Sequence, residues 1–319
     1  MAARGFGLAV AQMGPVHRAD TRAAAVARLM ALMEEAAQRG ARLVVFPELA
    51  LTTFFPRYWI DSADELDAFF ERAMPGPQTR ALFETAARLR IGFTLGYAEL
   101  TERGERFNTQ ILVDDSGRIV GRYRKIHLPG HADHKPAAPF QHLEKRYFQV
   151  GDEGFRVWQT MQTRIGMCIC NDRRWPETFR VLGLQSAEIV TLGFSTPSVN
   201  IHWHEPPHLR MFHHLLTLQS GAYQNALWVA AAAKAGFEDG FHMIGGSVII
   251  SPSGEIMAQS QSEDDELIFV NADLALGDRF RQNVFNFAKH RRPEHYRMIV
   301  ERTGAGEPLG GGQNAQESP

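Results

Sequence analysis

Cysteine is nearly absent: Cys168 and Cys170 are the only two in 319 residues, and they stand one residue apart. Two thiols make no disulfide framework, so the expected setting is a reducing cytoplasm. A structural zinc site needs about four ligands, usually in spaced pairs, and there is no second cysteine pair. A bridge between the two fails on strand geometry, where positions i and i+2 lie roughly 6.6 Å apart with parallel side chains. Excess charge is missing as well: the net value of −2 offers no electrostatic grip on nucleic acid or an anionic membrane. No apolar run approaches the roughly 20 residues that span a bilayer. The opening MAARGFGLAVAQMGP carries Gln12 inside its short apolar run and lacks a clear cleavage site. It reads as a first buried strand rather than a secretory leader. No linker divides the chain, so residues 1–303 are expected to form one domain. The Gly/Pro/polar tail 304–319 is expected to be disordered.

What is present is alternation. Residues 5–13 read as a strand, and Asp20 can cap a helix over 21–39 that ends at Gly40. RLVVFPEL (42–49) is a continuous apolar strand of the parallel, buried kind. ADELDAFFERA (63–73) reads as a short helix, and Pro77 suits the first turn of a helix over 77–90. GFTLGYAEL (92–100) is a strand, and residues 108–125 form two strands around an Asp-Ser-Gly turn. The second half repeats the grammar: strand 163–170, helix 176–187, strand 188–194, helix 206–225, strand 226–234, then a hairpin over 245–260 around Pro-Ser-Gly. Two similar halves of this kind predict an α/β protein with two sheets packed face to face and helices outside.

Cys168, in mid-strand, reads as a small core hydrophobe. Cys170 ends its apolar run just before Asn171, Asp172, Arg173 and Arg174 and a helix opened by Pro176. Ligands collect beyond the carboxyl ends of strands in α/β sheets. Nearby cations and a helix N-terminus lower a thiol's pKa, so locally Cys170 reads equally as core residue or nucleophile. Two other strand ends carry charge: Glu48 closes VVFPEL and Lys125 closes RIVGRYRK. Alone, each is an ordinary solvated end. Together with a thiol they are a base, a cation and a nucleophile.

FPEL (46–49), YRKIHLPG (123–130) and CNDRRWPE (170–177) resemble the Glu, Lys and Cys signatures of the nitrilase superfamily. PELALTTFFPRYW, KIHLPGH, FQHLEKRYF, ICNDRRWPE and FAKHRRPEHY resemble its N-carbamoyl-D-amino-acid amidohydrolases, in the same order, between about residues 5 and 302. The resemblance implies a four-layer αββα sandwich with pseudo-twofold halves. It implies hydrolysis of a carbamoyl (ureido) group through a cysteine acyl-enzyme, with no cofactor and no metal. By motif position Cys170 is the nucleophile, Glu48 the general base and Lys125 the oxyanion stabiliser, with Glu144 orienting the lysine and the ureido group. His142 and His127 flank these positions, and the backbone N–H of Asn171 is a second oxyanion donor. A guanidinium fork holds a carboxylate bidentately, so Arg173 and Arg174 are the candidates for the substrate's α-carboxylate, unless one only pairs with Asp172 or Glu177. Thr196 is a further candidate substrate contact. The family pattern also implies a homodimer or homotetramer whose C-terminal segments cross to the neighbour. A carbamoylputrescine-type or β-ureidopropionase-like amidase is the alternative within the superfamily.

One stretch departs from the family pattern. Where relatives carry Tyr-Asn-Thr-Pro, this chain has Phe194, Ser195, Thr196 and Pro197, followed by a divergent loop with histidines at 202, 204, 208, 213 and 214. The histidine spacing around two prolines favours loop surface and pocket rim over a metal site. The shorter Ser195 implies a changed side-chain preference rather than a changed reaction.

Overall fold

A computed structural model describes residues 3–138, 140–200 and 204–306. The continuous apolar runs become central strands, because only a strand covered on both faces hides every side chain. The first-half strands are β1 (Gly5–Gln12), β2 (Leu43–Val45), β3 (Gly92–Leu100), β4 (Arg106–Val113) and β5 (Ile119–Arg124). Then come β6 (Val157–Thr160), β7 (Thr163–Ile169), β8 (Ile189–Phe194) and β9 (Trp228–Ala233). The remainder are β10 (Ala235–Glu238), β11 (Phe241–Ile244), β12 (Val248–Ile250), β13 (Ile256–Gln259) and β14 (Glu266–Asp273). One six-stranded sheet runs β14-β1-β2-β3-β4-β5 and the other β13-β12-β9-β8-β7-β6, with β10 and β11 as a separate pair. In each sheet three parallel strands (β1-β2-β3, β7-β8-β9) pass into two antiparallel ones (β4-β5, β12-β13). An antiparallel edge strand completes each, β14 on β1 and β6 on β7. The repetition expected from the sequence is thus a repeat of sheet topology.

Helices α1 (Arg22–Gln38), α2 (Ala63–Asp67), α3 (Arg80–Leu89), α4 (Glu144–Tyr147), α5 (Pro176–Leu184) and α6 (Pro207–Asn225) follow the strands. Leu29, Met33 and Ala36 of α1 and Leu82 and Phe83 of α3 pack on Ala9, Val44, Phe93 and Leu95, the outer face of the first sheet. Phe179 and Leu182 of α5 and Leu218 and Ala222 of α6 join Met167, Val190 and the inward residues Leu8, Val10 and Val45 in one core. Each fully buried large apolar side chain contributes about 1.5–3 kcal/mol. The layers are therefore α, β, β and α. Between the sheets, Gln110 Nε2 donates to Thr191 Oγ1 at 3.3 Å, and Gly193 N donates to Gln110 Oε1 at 3.3 Å.

Several local expectations shift. The α1 cap is Thr21, whose hydroxyl accepts from Ala24 N at 3.1 Å; Asp20 turns back to His17 N. Pro77 precedes α3 in a turn, because Thr79 Oγ1 accepts from Gly76 N at 2.8 Å and delays the helix to Arg80. The helix read over 63–73 ends at Asp67. The strand read over 42–49 pairs only across Leu43–Val45. Gly304 to Gly306 apart, the tail lies outside the described residues, as does His202. Among the described residues no helix is long and apolar enough to cross a membrane.

Candidate active site

Phe46 N still bonds across to Thr94 O, but Pro47 has no N–H to continue the ladder. Leu49 takes a left-handed φ of 48° and turns Glu48 into the space between the sheets. That space is closed by two glycines. A Cβ on Gly96 of β3 would stand 2.7 Å from Glu48 Cα, and one on Gly193 of β8 would stand 2.5 Å from Glu48 N. Only hydrogen fits on either side of the peptide, so both sheets clamp the residue.

The Glu48 carboxylate is fully buried and accepts three hydrogen bonds: from Lys125 Nζ (2.7 Å) and Asn108 Nδ2 (2.8 Å) on Oε1, and from Ser195 N (2.9 Å) on Oε2. Lys125 Nζ also donates to Glu144 Oε2 at 2.5 Å, and His142 Nε2 lies 3.2 Å from Glu144 Oε1. Burial raises the pKa of Glu48, against the pull of the Lys125 charge. Burial pushes Glu144 the same way, but Lys125 and His142 outweigh it and the net shift is down. Lys125 would be lowered by burial, but the carboxylates of Glu144 and Glu48 carry it upward, so it stays an ammonium.

Cys170 follows β7 with a left-handed φ of 47°, opening the short 3-10 turn Cys170–Arg174. Such a conformation costs of order 1–3 kcal/mol and persists where the surroundings impose it. The expectation that local cations lower its pKa is reversed. Burial raises it and the Glu48 charge adds to that, outweighing Lys125 and Arg173. The resting group is a thiol, and it needs a base. Cys168 is wholly buried in the core, as read from the sequence.

The two arginines divide. Arg173 is buried, donates to Cys170 O (2.6 Å) and to Thr196 Oγ1 (3.0 Å), and lies over the Phe194 ring at 4.8 Å. Arg174 makes no ion pair or side-chain hydrogen bond among the described residues; burial and the Arg173 charge lower its pKa to about 10. Asp172 is engaged instead by Tyr123 Oη (2.8 Å), Ile169 N (2.9 Å) and His127, whose N and Nδ1 lie 2.9 and 2.8 Å from Oδ1. Neither arginine pairs with Asp172 or Glu177. Asn171 Nδ2 donates to His127 O at 3.0 Å, joining those two loops.

A cavity of about 350 Å³ opens on Cys170. Arg173, Arg174, His142, Asn171 and Thr196 line it, and Glu205, Arg210 and His213 form the far side. Glu48, Lys125 and Glu144 are buried and do not line it, but their charges act on Cys170. Glu205 accepts from Arg210 Nη1 (3.2 Å) and Asn200 Nδ2 (3.3 Å), with His213 Nδ1 at 3.1 Å. Among the described histidines of that loop, His214 is buried against Gly246 O, and no group of three or more potential metal ligands forms. A larger groove of about 770 Å³ crosses the outside of β3 and β5, past Glu99, Arg122 and Trp158, and holds none of the expected site residues.

Asn108, Asp172 and Glu205 were not anticipated. For Asn108 there was a signal, one of two amides in an otherwise largely apolar strand; Asp172 takes its role from Tyr123 and His127, distant in sequence, and Glu205 from Asn200, Arg210 and His213 in its own neighbourhood.

The carbon-nitrogen hydrolase family profile matches residues 7–282. A nitrilase of Pyrococcus abyssi is 29% identical over 83% of this chain and 90% of its own length. An N-carbamoylputrescine amidase of Arabidopsis thaliana is 28% identical over 88% and 91%. A citrullinase of Francisella tularensis is 27% identical over 89% and 95%. The crystal structure of a carbon-nitrogen hydrolase from Helicobacter pylori superposes with a TM-score of 0.80 at 21% identity, covering 93% of this chain and 99% of that one. That likeness shows the shared fold, and the profile shows the family: this chain belongs to the carbon-nitrogen hydrolases.

Proposed function

We propose that the chain hydrolyses the carbamoyl group of N-carbamoyl-D-amino acids to the D-amino acid, carbon dioxide and ammonia. One observation carries the reading: the cavity has a buried thiol backed by a carboxylate–ammonium cluster at one end and the unpaired Arg174 guanidinium beside it. A ureido acid has two matching features, an electrophilic carbonyl and a carboxylate a few bonds away. The D hand comes from the resemblance of the sequence motifs alone.

Both nitrogens of a ureido group donate into its carbonyl and make it a poor electrophile. Glu48 takes the Cys170 proton as sulfur attacks. Charge gathers on the carbonyl oxygen, where the Lys125 ammonium and the Asn171 backbone N–H meet it; one such donor is worth about 3 kcal/mol. Glu48 then passes its proton to the departing nitrogen and activates water against the acyl-enzyme. Glu144, held by Lys125 and His142, keeps the ammonium aimed and accepts from the ureido N–H. Arg174 holds the carboxylate, and Arg173 braces Cys170 and Thr196.

A carbamoylputrescine-type amidase is the second reading, supported by a relative of that name and by the Glu205 carboxylate on the cavity wall. Glu205 is already ion-paired with Arg210, which favours an acid over an amine. Turnover of N-carbamoyl-D-alanine, its L isomer and N-carbamoylputrescine decides: the D acid is expected to lead, and preference for the amine overturns the proposal. The same reading carries an assembly of two or four copies, measurable by sedimentation.

A further inference from the structure

Beside the cavity's carboxylates lies a second buried charge cluster that the proposed chemistry does not use. Lys234, between β9 and β10, and Glu238, at the end of β10, are both wholly buried, and Arg57 is 4% exposed. Lys234 Nζ donates to Thr52 O and, at 3.0 Å, to Glu238 Oε2. Glu238 Oε1 accepts from Phe54 N (2.7 Å) and Arg57 Nη2 (2.7 Å), and Arg57 closes the loop by donating to Phe54 O (3.1 Å) and Glu238 O. The bonds from Lys234 to Thr52 O, from Phe54 N to Glu238 and from Arg57 to Glu238 join the segment just after Glu48 to the stretch that follows β9, and the other two brace each side internally. Buried charges are costly unless paired and hydrogen-bonded, so this cluster is a demanding way to hold a loop that apolar packing could hold.

Its charge supplies a reason. Glu48 and Glu144 against Lys125 leave one excess negative charge in the first cluster; Arg57 and Lys234 against Glu238 leave one excess positive charge in the second. The charged and titratable groups facing Glu48 are Lys125, Glu144, Cys170 and Lys234, and those facing Lys234 are Glu238, Arg57 and Glu48. Asp239 and Tyr58 stand further out, joined through Thr53. In a dry interior such charges act on each other over longer distances than in water.

We propose that Lys234 is a positioning residue for Glu48: through Thr52 and Glu238 it holds the segment that carries the carboxylate, and it sets a compensating positive charge behind it. This rests on Glu48 being the base for Cys170. The test is the pH dependence of Cys170 alkylation by iodoacetamide, followed by peptide mass spectrometry, which needs no substrate; buried Cys168 is the internal control. Glu48→Gln is compared first. If it leaves the rate and its pH dependence unchanged, the base assignment itself fails. With that assignment standing, Lys234→Met, which leaves a neutral Arg57–Glu238 pair, is expected to slow alkylation about tenfold and move its acid limb to higher pH. Lys234→Arg restores most of the rate. With substrate, kcat falls and KM holds. A folded Lys234→Met with the parent's rate and limb overturns the proposal, as does a loss of thermal stability with the limb unmoved. Should Lys234→Met not fold, Lys234→Gln, which keeps a donor for Thr52 O, takes its place. Failure of both to fold assigns Lys234 to stability alone and overturns the proposal too.

Discussion

Lys125 Nζ lies 2.7 Å from Glu48 Oε1, and both side chains are wholly excluded from solvent. A buried ion pair of this kind is weak evidence for stability but strong evidence for mutual dependence: removing one partner strands the other charge at a cost of about 3–5 kcal/mol. Lys125→Met is therefore expected to lower both Tm and kcat, the latter by at least about 10²-fold. Thermal unfolding and steady-state kinetics on the same preparation check this; a variant with parental Tm and kcat contradicts it.

Acidification is expected to remove activity before it removes the fold. Burial holds the pKa of Glu48 above the ordinary 4.5, so the proposed base is protonated and lost at a pH where typical carboxylates are still ionised. Glu99 moves the other way. Burial raises it, but Arg124 and Thr109 outweigh that and place it below 4.5. A carboxylate depressed in the folded state contributes stability that is full above its unfolded pKa and is lost only as pH falls through the lower folded value. Glu144 adds in the same direction. kcat/KM measured beside thermal melts should show a folded, inactive window on the acid side; coincident loss of both counts against the Glu48 assignment.

Gly193→Ala would place a methyl carbon 2.5 Å from Glu48 N, against backbone that cannot yield cheaply. The expected loss is about 1–3 kcal/mol of stability with kcat down on the order of 10²-fold, since misplacement of a base costs more than misplacement of a core side chain. A chemical denaturation curve and a progress curve suffice as readouts.

Arg174→Met separates binding from chemistry. A charged hydrogen-bonded pair contributes about 1.5–3 kcal/mol, so KM for a ureido acid is expected to rise roughly ten- to a hundredfold while turnover of an uncharged amide holds. Arg173→Met is expected to strike kcat instead, because Arg173 supports Cys170 O and Thr196 Oγ1. Equal effects on charged and uncharged substrates would remove Arg174 from the carboxylate site.

Ser195 Oγ donates to Glu48 O at 3.2 Å rather than into the cavity. Ser195→Asn is expected to narrow the side-chain range, lowering the rate on N-carbamoyl-phenylglycine relative to N-carbamoyl-alanine. An unchanged ratio would mean that this position does not set side-chain preference.

The layered fold was legible because its signals are local. Apolar runs without alternation predicted central strands, and Ser-Gly turns predicted the hairpins at 114–117 and 251–254, whose closing bonds run from Asp114 N to Arg118 O and from Ser251 N to Glu255 O. Boundaries were less legible where one side chain decides, as with Thr79 against Pro77. The acidity of Cys170 was misread because its sequence neighbours are cations, while the burial that raises it, and the Glu48 carboxylate that adds to that, come from the packing of other strands.

The sequence by itself determined the strand and helix order, the candidate thiol, acid and ammonium, and the family. Only the tertiary structure decided which arginine is left unpaired, that two glycines from opposite sheets clamp Glu48, and that Asn108 and Lys234 bear on it. Periodicity and turn chemistry act over a few residues and are written along the chain. Burial, charge pairing and steric clearance depend on atoms brought together from distant segments, 182 residues apart for Thr52 and Lys234, and they exist only after the sheets have packed.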